Sequence, residues 1–163
     1  MKMNTAYLLI GGNLGERSNT LERARQLISG EVGKIVAASS LYETASWGIK
    51  EQPDFLNQVL QVKTKLSARR IMDTILSIEN KMGRIRTEKN ASRIIDIDIL
   101  FFNDDIIDEP GIIIPHPEIQ NRKFALVPLH EIAPGLIHPR LQQTIRQLLS
   151  TSPDALEVRL MSE

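Results

Sequence analysis

Residues 93–102 read Arg-Ile-Ile-Asp-Ile-Asp-Ile-Leu-Phe-Phe, and acidic and apolar residues alternate through the middle of this run. Alternation with a period of two is typical of a β-strand, in which residues two apart share a face. Asp96 and Asp98 are therefore expected side by side, about 7 Å apart along the strand. The opposite face is expected to be buried and to consist of Ile95, Ile97, Ile99 and Phe101.

The hydrophobic pattern elsewhere predicts five further elements. They are strands over residues 6–10, 34–42 and 55–66 and helices over residues 18–29 and 68–82. With the strand over residues 94–102, this order predicts a ferredoxin-like α+β fold, βαββαβ, with an antiparallel sheet and two helices on one face. C-terminal loops and a helix near residues 141–150 follow. The 163 residues, 42% of them apolar, are expected to form a single domain over residues 1–163.

Charge and cysteine content exclude several classes of function. Lysine and arginine number 20, as do aspartate and glutamate, so the formal net charge is zero. Because nucleic-acid and anionic-membrane binding depend on excess positive charge, neither is an expected partner. The absence of cysteine excludes disulfides, thiolate nucleophiles and cysteine-ligated metals. No apolar run approaches the about 18 residues of a membrane span, and the lack of cysteine fits a reducing compartment, so a cytoplasmic protein is expected. A monomer is expected because a chain of this size needs no partner to form its core.

The two aspartates indicate a metal site. Paired carboxylates in an apolar strand repel each other and resist loss of water, and a divalent cation relieves both effects. Magnesium bound by one or two carboxylates together with substrate phosphates fits this pattern. The alternative is a half-exposed strand whose polar face happens to be acidic.

A basic segment precedes the strand. It contains one acid, Glu88, against five cations, which are Lys81, Arg84, Arg86, Lys89 and Arg93. Arginine matches the geometry of phosphate oxygens, so this segment is suited to a polyphosphate. The alternative is a solvated basic loop. Residues 43–54 and 83–93 are longer than simple connections require, which is typical of binding or closing loops.

A histidine and a glycine-rich turn have competing interpretations. His116 lies between two prolines, with Arg122 six residues further on, so it is either a phosphate contact or a structural residue. Residues 11–15, Gly-Gly-Asn-Leu-Gly, lack the spacing of phosphate-binding loops and are interpreted as a tight strand-to-helix turn.

Aromatic residues are few, at 4% of the chain. Trp47, Phe55 and Phe124 are either core residues or the two sides of a slot for a flat heterocycle.

Taken in order, these motifs resemble those of the 6-hydroxymethyl-7,8-dihydropterin pyrophosphokinase family of folate biosynthesis. The most specific part is Arg-x-x-Asp-x-Asp at 93–98, followed by Pro-His at 115–116 and Asn-Arg-x-Phe at 121–124. The resemblance also includes residues 11–15, 40–44, 52–57, 83–86 and Leu-His-Glu-Ile-Ala-Pro at 129–134.

This resemblance implies transfer of the β,γ-pyrophosphoryl group of ATP, the co-substrate, to the pterin hydroxymethyl group, with release of AMP. It implies that Asp96 and Asp98 hold two magnesium ions and act in catalysis with Arg84 and Arg93. The implied ATP contacts are Glu79, Arg84, Arg86, Arg93, Ile99, Ile112, Ile113, His116 and Arg122. The implied pterin contacts are Thr44, Ala45, Trp47, Phe55, Asn57, Asp96 and Phe124, with the two phenylalanines on opposite faces of the ring.

Two other functions are weighed against this one. A magnesium-dependent phosphatase or nuclease would use Asp96 and Asp98 to activate water, but it leaves the aromatic residues and the basic segment unexplained. The other is a non-catalytic ferredoxin-like module that binds RNA or a small effector. An RNA-binding module of this fold should have aromatic residues on its central strands for base stacking and a net positive charge. The composition argues against such a module.

Overall fold

The computed structural model describes residues 3–13, 15–45, 54–83 and 94–161. Its elements are β1 (Asn4–Gly12), α1 (Arg17–Glu31), β2 (Lys34–Ala38), β3 (Tyr42–Thr44), β4 (Phe55–Thr64), α2 (Ala68–Lys81), β5 (Asp96–Phe102), β6 (Ile107–Glu109), β7 (Ile112–Ile114), α3 (Lys123–Ile132), α4 (Ile145–Thr151) and β8 (Val158–Leu160). A short 3₁₀ turn, Ile119–Asn121, precedes α3.

One antiparallel sheet organises these elements, in the order β5-β1-β4-β3-β8, and β2 pairs with the same strand, β4, as β3 does. The order βαββαβ and the central position of β1 and β4 are those of the predicted ferredoxin-like fold. Strands β6 and β7 form a separate hairpin.

Helices cover both faces of the sheet. On one face the side chains of β1, β4 and β5 pack against α1 and α2, whose buried residues are Leu21, Ala24, Ile28, Ile71, Ile75 and Ile78. On the other face, Tyr7, Leu9 and Val59 pack against α3 and α4. Helix α3 was not predicted, because Pro128 lies inside it and prolines usually interrupt helices. Helix α4 begins later than predicted because Thr144 forms a capping box with Gln147.

A β-bulge corrects the predicted faces of β5. Tyr7 pairs with Phe101 but Leu8 pairs with Ile99, so Leu100 is an extra residue on β5. A bulge places two consecutive side chains on one side of a strand. Leu100 and Phe101 therefore both face α3 and α4, and the prediction that Phe101 shares the face of Ile97 and Ile99 is wrong.

The strand predicted over residues 34–42 is divided at Ser39. The Ser39 N–H donates to the Val59 carbonyl (2.9 Å), and the Ser39 hydroxyl accepts the Val59 N–H (3.0 Å) in place of a backbone carbonyl. The chain bends here and continues as β3. This break could not be predicted from sequence, since serine occurs in strands as well as turns.

Strand β8 extends the sheet beyond the predicted core. Its residues Val158 to Leu160 pair with Thr44 to Tyr42 of β3. Three residues carry too little periodicity for prediction from sequence. No helix in the described ranges is long and apolar enough to cross a membrane.

His138 links the α3–α4 connection to the core. Its ring packs edge-on against Phe101, with 5.6 Å between ring centroids, and its Nδ1 accepts the N–H groups of Arg140 (3.2 Å) and Leu141 (3.0 Å). Burial and then the charge of Arg140 lower the pKa of His138 below 6.5. The folded chain therefore holds this imidazole neutral at a pH where the unfolded chain protonates it.

We expect the free energy of unfolding to fall as pH decreases below about 6.5, with His138 contributing up to about 1.4 kcal/mol per pH unit. His138→Asn keeps an acceptor near the Nδ1 position but takes up no proton, so its slope against pH should be smaller than that of the unsubstituted chain. Urea denaturation between pH 7 and pH 5 measures both slopes. His116, whose pKa is also lowered, is present in both proteins and cancels in the comparison. Equal slopes would contradict the role assigned to His138.

Candidate active site

Polar side chains gather at one end of the sheet, on the face covered by α3. In the strand register Gly11 of β1 lies between Asn57 of β4 and Asp96 of β5. Two residues earlier on β1, Leu9 lies between Val59 of β4 and Asp98 of β5. Asp96 and Asp98 thus share the face of the second hydrophobic core, and both are partly exposed. Two carboxylates and an amide are placed together across three adjacent strands.

Gly11 creates the space for Asn57. A Cβ at this position would overlap the Asn57 Oδ1 and lie close to its Cγ. The interpretation of residues 11–15 as a strand-to-helix turn is therefore wrong for the first two glycines, which are the end of β1. The absent side chain allows a buried amide to lie against the backbone.

Asn57 and Thr44 form a buried polar pair between β4 and β3. Both are almost fully buried, and the Asn57 Nδ2 lies 3.5 Å from the Thr44 Oγ1. Thr44 also pairs in register with Phe55, which is partly exposed, and Ala45 follows as an exposed residue. These four residues line the sheet end next to Asp96.

The N-terminus of α3 faces this region with a cation and an aromatic ring. The Arg122 guanidinium lies over the Phe124 ring, 5.7 Å from its centroid, as in a cation–π contact. The Lys123 N–H, one of the unpaired donors of the first turn, donates to the Asp154 Oδ2 (2.9 Å). Sequence reasoning missed Asp154, although Ser-Pro-Asp at 152–154 is a turn signal.

His116 lies beside β5, where its N–H donates to the Leu100 carbonyl (3.0 Å). Its Nδ1 accepts the Glu118 N–H (3.2 Å), so in the neutral ring the proton is on Nε2. Burial and then the positive charge of Arg122 lower the pKa of His116, against the opposite influence of Glu118 and Asp96. At neutral pH this residue is an uncharged hydrogen-bond donor.

Glu79 supports the strand that carries the aspartates. Its buried carboxylate accepts the Ile97 N–H through Oε2 (2.8 Å). Ile97 lies between Asp96 and Asp98 on an edge strand, whose outward N–H groups need acceptors from outside the sheet. Glu79 thereby fixes the backbone from which both carboxylates project.

The acid pair fits magnesium better than a metal held by protein ligands alone. Among the described residues, three or more His, Cys, Asp or Glu side chains never gather as a metal-binding group. Magnesium commonly takes one or two carboxylates and fills its remaining positions with water and substrate phosphate. Asp96 and Asp98, partly exposed on one face, match that donor set.

Comparison with known proteins gives the family. The family described as 7,8-dihydro-6-hydroxymethylpterin-pyrophosphokinase (HPPK) matches residues 7–134. The chain belongs to this family. It is 36% identical over 159 residues to the 2-amino-4-hydroxy-6-hydroxymethyldihydropteridine pyrophosphokinase of Haemophilus influenzae, covering 97% of this chain and 99% of that protein. The corresponding enzyme of Synechocystis is 38% identical over 145 residues, 88% of this chain and 74% of that protein.

Some relatives are longer proteins. The folic acid synthesis protein fol1 of Schizosaccharomyces pombe is 35% identical over 153 residues, 93% of this chain but 21% of its own length. A crystal structure of wild-type Plasmodium falciparum HPPK-DHPS with pteroate matches 91% of this chain at a TM-score of 0.75 and 21% identity, and the chain spans 44% of it. This structural likeness confirms the ferredoxin-like fold.

Membership of the HPPK family confirms the enzyme class expected from the sequence, pyrophosphoryl transfer from ATP to hydroxymethyldihydropterin. Nothing in the comparisons supports the phosphatase or nuclease alternative.

The structure brings together several of the residues predicted to form the site. Thr44, Phe55, Asn57, Asp96 and Asp98 lie at one end of the sheet, and Phe124 is at the N-terminal end of α3. The side chains of Ile99 and Ile112 are buried in the core shared with α1 and α2, whereas Ile113 is exposed. Four predicted residues lie outside the described ranges, which are Trp47, Arg84, Arg86 and Arg93. Lys81, at the start of the basic segment, pairs with Glu31 (2.9 Å).

We expect Gly11→Ala to lower the free energy of unfolding by about 1–3 kcal/mol, because the methyl group displaces the buried Asn57 amide. Gly30→Ala is the control. Gly30 lies in α1 with open space around its Cβ position, so that substitution should raise stability by about 0.5–1 kcal/mol. Urea denaturation measures both. The cost of Gly11→Ala should shrink in an Asn57→Ala background, and an undiminished cost there would assign the strain to another neighbour.

Proposed function

We propose that the sheet end at Asp96 and Asp98 joins the pterin and the ATP sites, and that the two carboxylates hold two magnesium ions between the substrates. The main support for this proposal is the strand register, in which Gly11 of β1 lies between Asn57 of β4 and Asp96 of β5. This places a buried amide, suited to a heterocycle, next to a carboxylate pair, suited to a metal–phosphate complex.

The pterin site comprises Asn57, Thr44 and the two phenylalanines Phe55 and Phe124. A pterin edge alternates donors and acceptors, and the buried Asn57 amide offers both in a fixed orientation. The aromatic rings stack on the two faces of the pterin, with backbone contacts from Thr44, Ala45 and Trp47. Asp96 lies next to this site, at the position of the hydroxymethyl group.

The ATP site lies on the other side of the carboxylates. Arg84, Arg86, Arg93 and Arg122 bind the phosphates, since guanidinium groups match phosphate oxygens in geometry and charge. His116, neutral with its proton on Nε2, donates one hydrogen bond to a phosphate oxygen without adding charge. Ile113, which is exposed, is a further ATP contact. The side chains of Ile99 and Ile112 are buried in the core, so these two residues contact ATP through backbone atoms. Glu79 acts on the ATP site through its support of β5.

The reaction needs positioning more than a nucleophilic side chain. The pterin hydroxyl oxygen forms a bond to the β-phosphorus of ATP, and the hydroxyl proton is released to solvent. The bond from that phosphorus to the α,β-bridging oxygen breaks, and AMP leaves with the electron pair on that oxygen. Asn57, Phe55 and Phe124 hold the hydroxymethyl group in line with the breaking bond. The arginines stabilise the charge on the departing phosphate. When bound, magnesium supplies further neutralisation of the triphosphate and of the attacking oxygen.

Three expectations from the sequence stay predictions. They are a single domain, a monomeric state and a cytoplasmic location.

Incubating the protein with ATP, magnesium and 6-hydroxymethyl-7,8-dihydropterin should yield AMP and the pterin diphosphate in equal amounts. No AMP should form without the pterin, because the pterin hydroxyl is the only acceptor. Anion-exchange chromatography separates AMP from ADP. Release of ADP, or hydrolysis of ATP without pterin, would contradict the proposal.

Asp96→Asn and Asp98→Asn should each lower kcat by at least about a hundredfold, because a neutral amide removes a metal ligand and its charge. The dissociation constant of the pterin, measured without ATP, should change far less. Asp104→Asn is the matched control, since Asp104 is an exposed acid just after the same strand, and it should retain full activity. Comparable losses of turnover and of pterin affinity would mean that the aspartates mainly bind the pterin.

A further inference from the structure

We propose that Glu131 is a positioning residue that sets the width of the pterin slot by tying helix α3, which carries Phe124, to strand β3, which carries Thr44. This inference rests on the proposed function, since Phe124 and Thr44 were assigned to the pterin there. It gives a role to two motifs that the reaction itself does not use, residues 129–134 and residues 40–42.

Both oxygens of the Glu131 carboxylate are engaged by the segment that leads into β3. The Ser40 N–H donates to Oε1 (3.0 Å) and Oε2 (3.1 Å), and the Ser40 hydroxyl donates to Oε2 (3.0 Å). The Tyr42 hydroxyl donates to Oε1 at 2.6 Å. Glu131 and Ser40 are 91 residues apart in sequence, so this contact joins two distant parts of the fold. Hydrogen bonds to an ionised acceptor are about twice as strong as neutral ones.

The position of Glu131 on its helix is unfavourable without these partners. Helix α3 ends at Ile132, so the carboxylate lies in the last turn, where the helix dipole disfavours negative charge. Partial burial alone would raise the pKa of Glu131, but hydrogen bonds from Tyr42 and Ser40 outweigh it and lower the pKa. Burial and the contact with Glu131 raise the pKa of Tyr42 to about 12. At neutral pH the acid is ionised, the phenol is protonated, and the link is intact.

The Glu131 contacts join α3 and β3 on one side, and the residues assigned to the pterin, Phe124 and Thr44, lie further along the same two elements. Phe124 and Glu131 are about two helical turns apart, roughly 10 Å, and face the same side of α3. Tyr42 and Thr44 are two apart on β3 and share a face, with Tyr42 paired to Asn57 in register. Fixing Glu131 on Tyr42 therefore fixes the distance from Phe124 to Thr44 and Asn57.

Glu131→Gln should raise the dissociation constant of 6-hydroxymethyl-7,8-dihydropterin by about tenfold, because the amide replaces one acceptor oxygen with a donor facing Ser40. Binding is measured by calorimetry in the presence of magnesium and a non-hydrolysable ATP analogue. The KM for the pterin should rise in parallel, whereas kcat at saturating substrates should fall less than about threefold, because the aspartates are untouched.

Two further variants separate positioning from stability. Thr144→Ala removes the capping box of α4 and destabilises the fold, but it leaves the hydrogen bonds of Glu131 to Ser40 and Tyr42 in place. Pterin affinity should therefore stay within about twofold of the unsubstituted value. Tyr42→Phe removes one of the four hydrogen bonds and should raise the pterin dissociation constant less than Glu131→Gln does. The double variant should bind no more weakly than Glu131→Gln alone, since both changes break one link.

Unchanged pterin affinity in folded Glu131→Gln, or in Tyr42→Phe if Glu131→Gln does not fold, would overturn the positioning role. The positioning role would also be overturned if Thr144→Ala lowered the free energy of unfolding as much as Glu131→Gln and weakened pterin binding equally. Phe124→Ala and Asn57→Ala are measured alongside. If these weaken pterin binding and Glu131→Gln does not, only the positioning role fails. If neither Phe124→Ala nor Asn57→Ala weakens pterin binding, the assignment of the pterin site itself is wrong.

Discussion

Both faces of one antiparallel sheet are covered by helices, and this constraint decides where chemistry can occur. Burying an unpaired carboxylate or amide beneath a helix is costly, so polar residues collect where the covering helices end. Tyr7, Leu9 and Val59 fill the centre of the second face, and the functional residues begin one or two positions beyond them on each strand. The site thus lies at the end of an otherwise apolar surface, beyond the residues that pack against α3 and α4.

Three acids in the described part of the chain act on backbone rather than on substrate. Glu79 accepts an N–H from the edge strand, Asp154 accepts the first N–H of α3, and Glu131 accepts the N–H of Ser40. Each stabilises an element that carries site residues: β5, the start of α3, and the approach to β3. The zero net charge of the sequence conceals this division of acids between scaffold and site.

The sequence allowed the fold class, the two helices of the core and the family to be predicted, because strong periodicity and short motifs encode them. The roles assigned to the site residues stay predictions. What could not be predicted depended on contacts between distant residues. The bulge at Leu100 arises from pairing with β1, and the break at Ser39 arises from a hydroxyl bonded to Val59. Helix α3 has an internal proline but is held by apolar packing against the sheet. Asp154 and Glu131 are isolated acids in sequence, and only the fold gives them partners.

The pairing of β8 with β3 affects the order in which the molecule can be assembled. Strands β1, β4 and β5 can pair once residue 102 has been synthesised, but β3 has an open outer edge until residues 158–160 arrive. The ion pair between Arg159 and Asp54 spans 105 residues in the same way. Contacts of such long sequence separation carry a large loop-closure cost and form late. The strand that carries Thr44 is therefore expected to be among the last parts of a nascent chain to become fixed, after the hydrophobic core beneath it has formed.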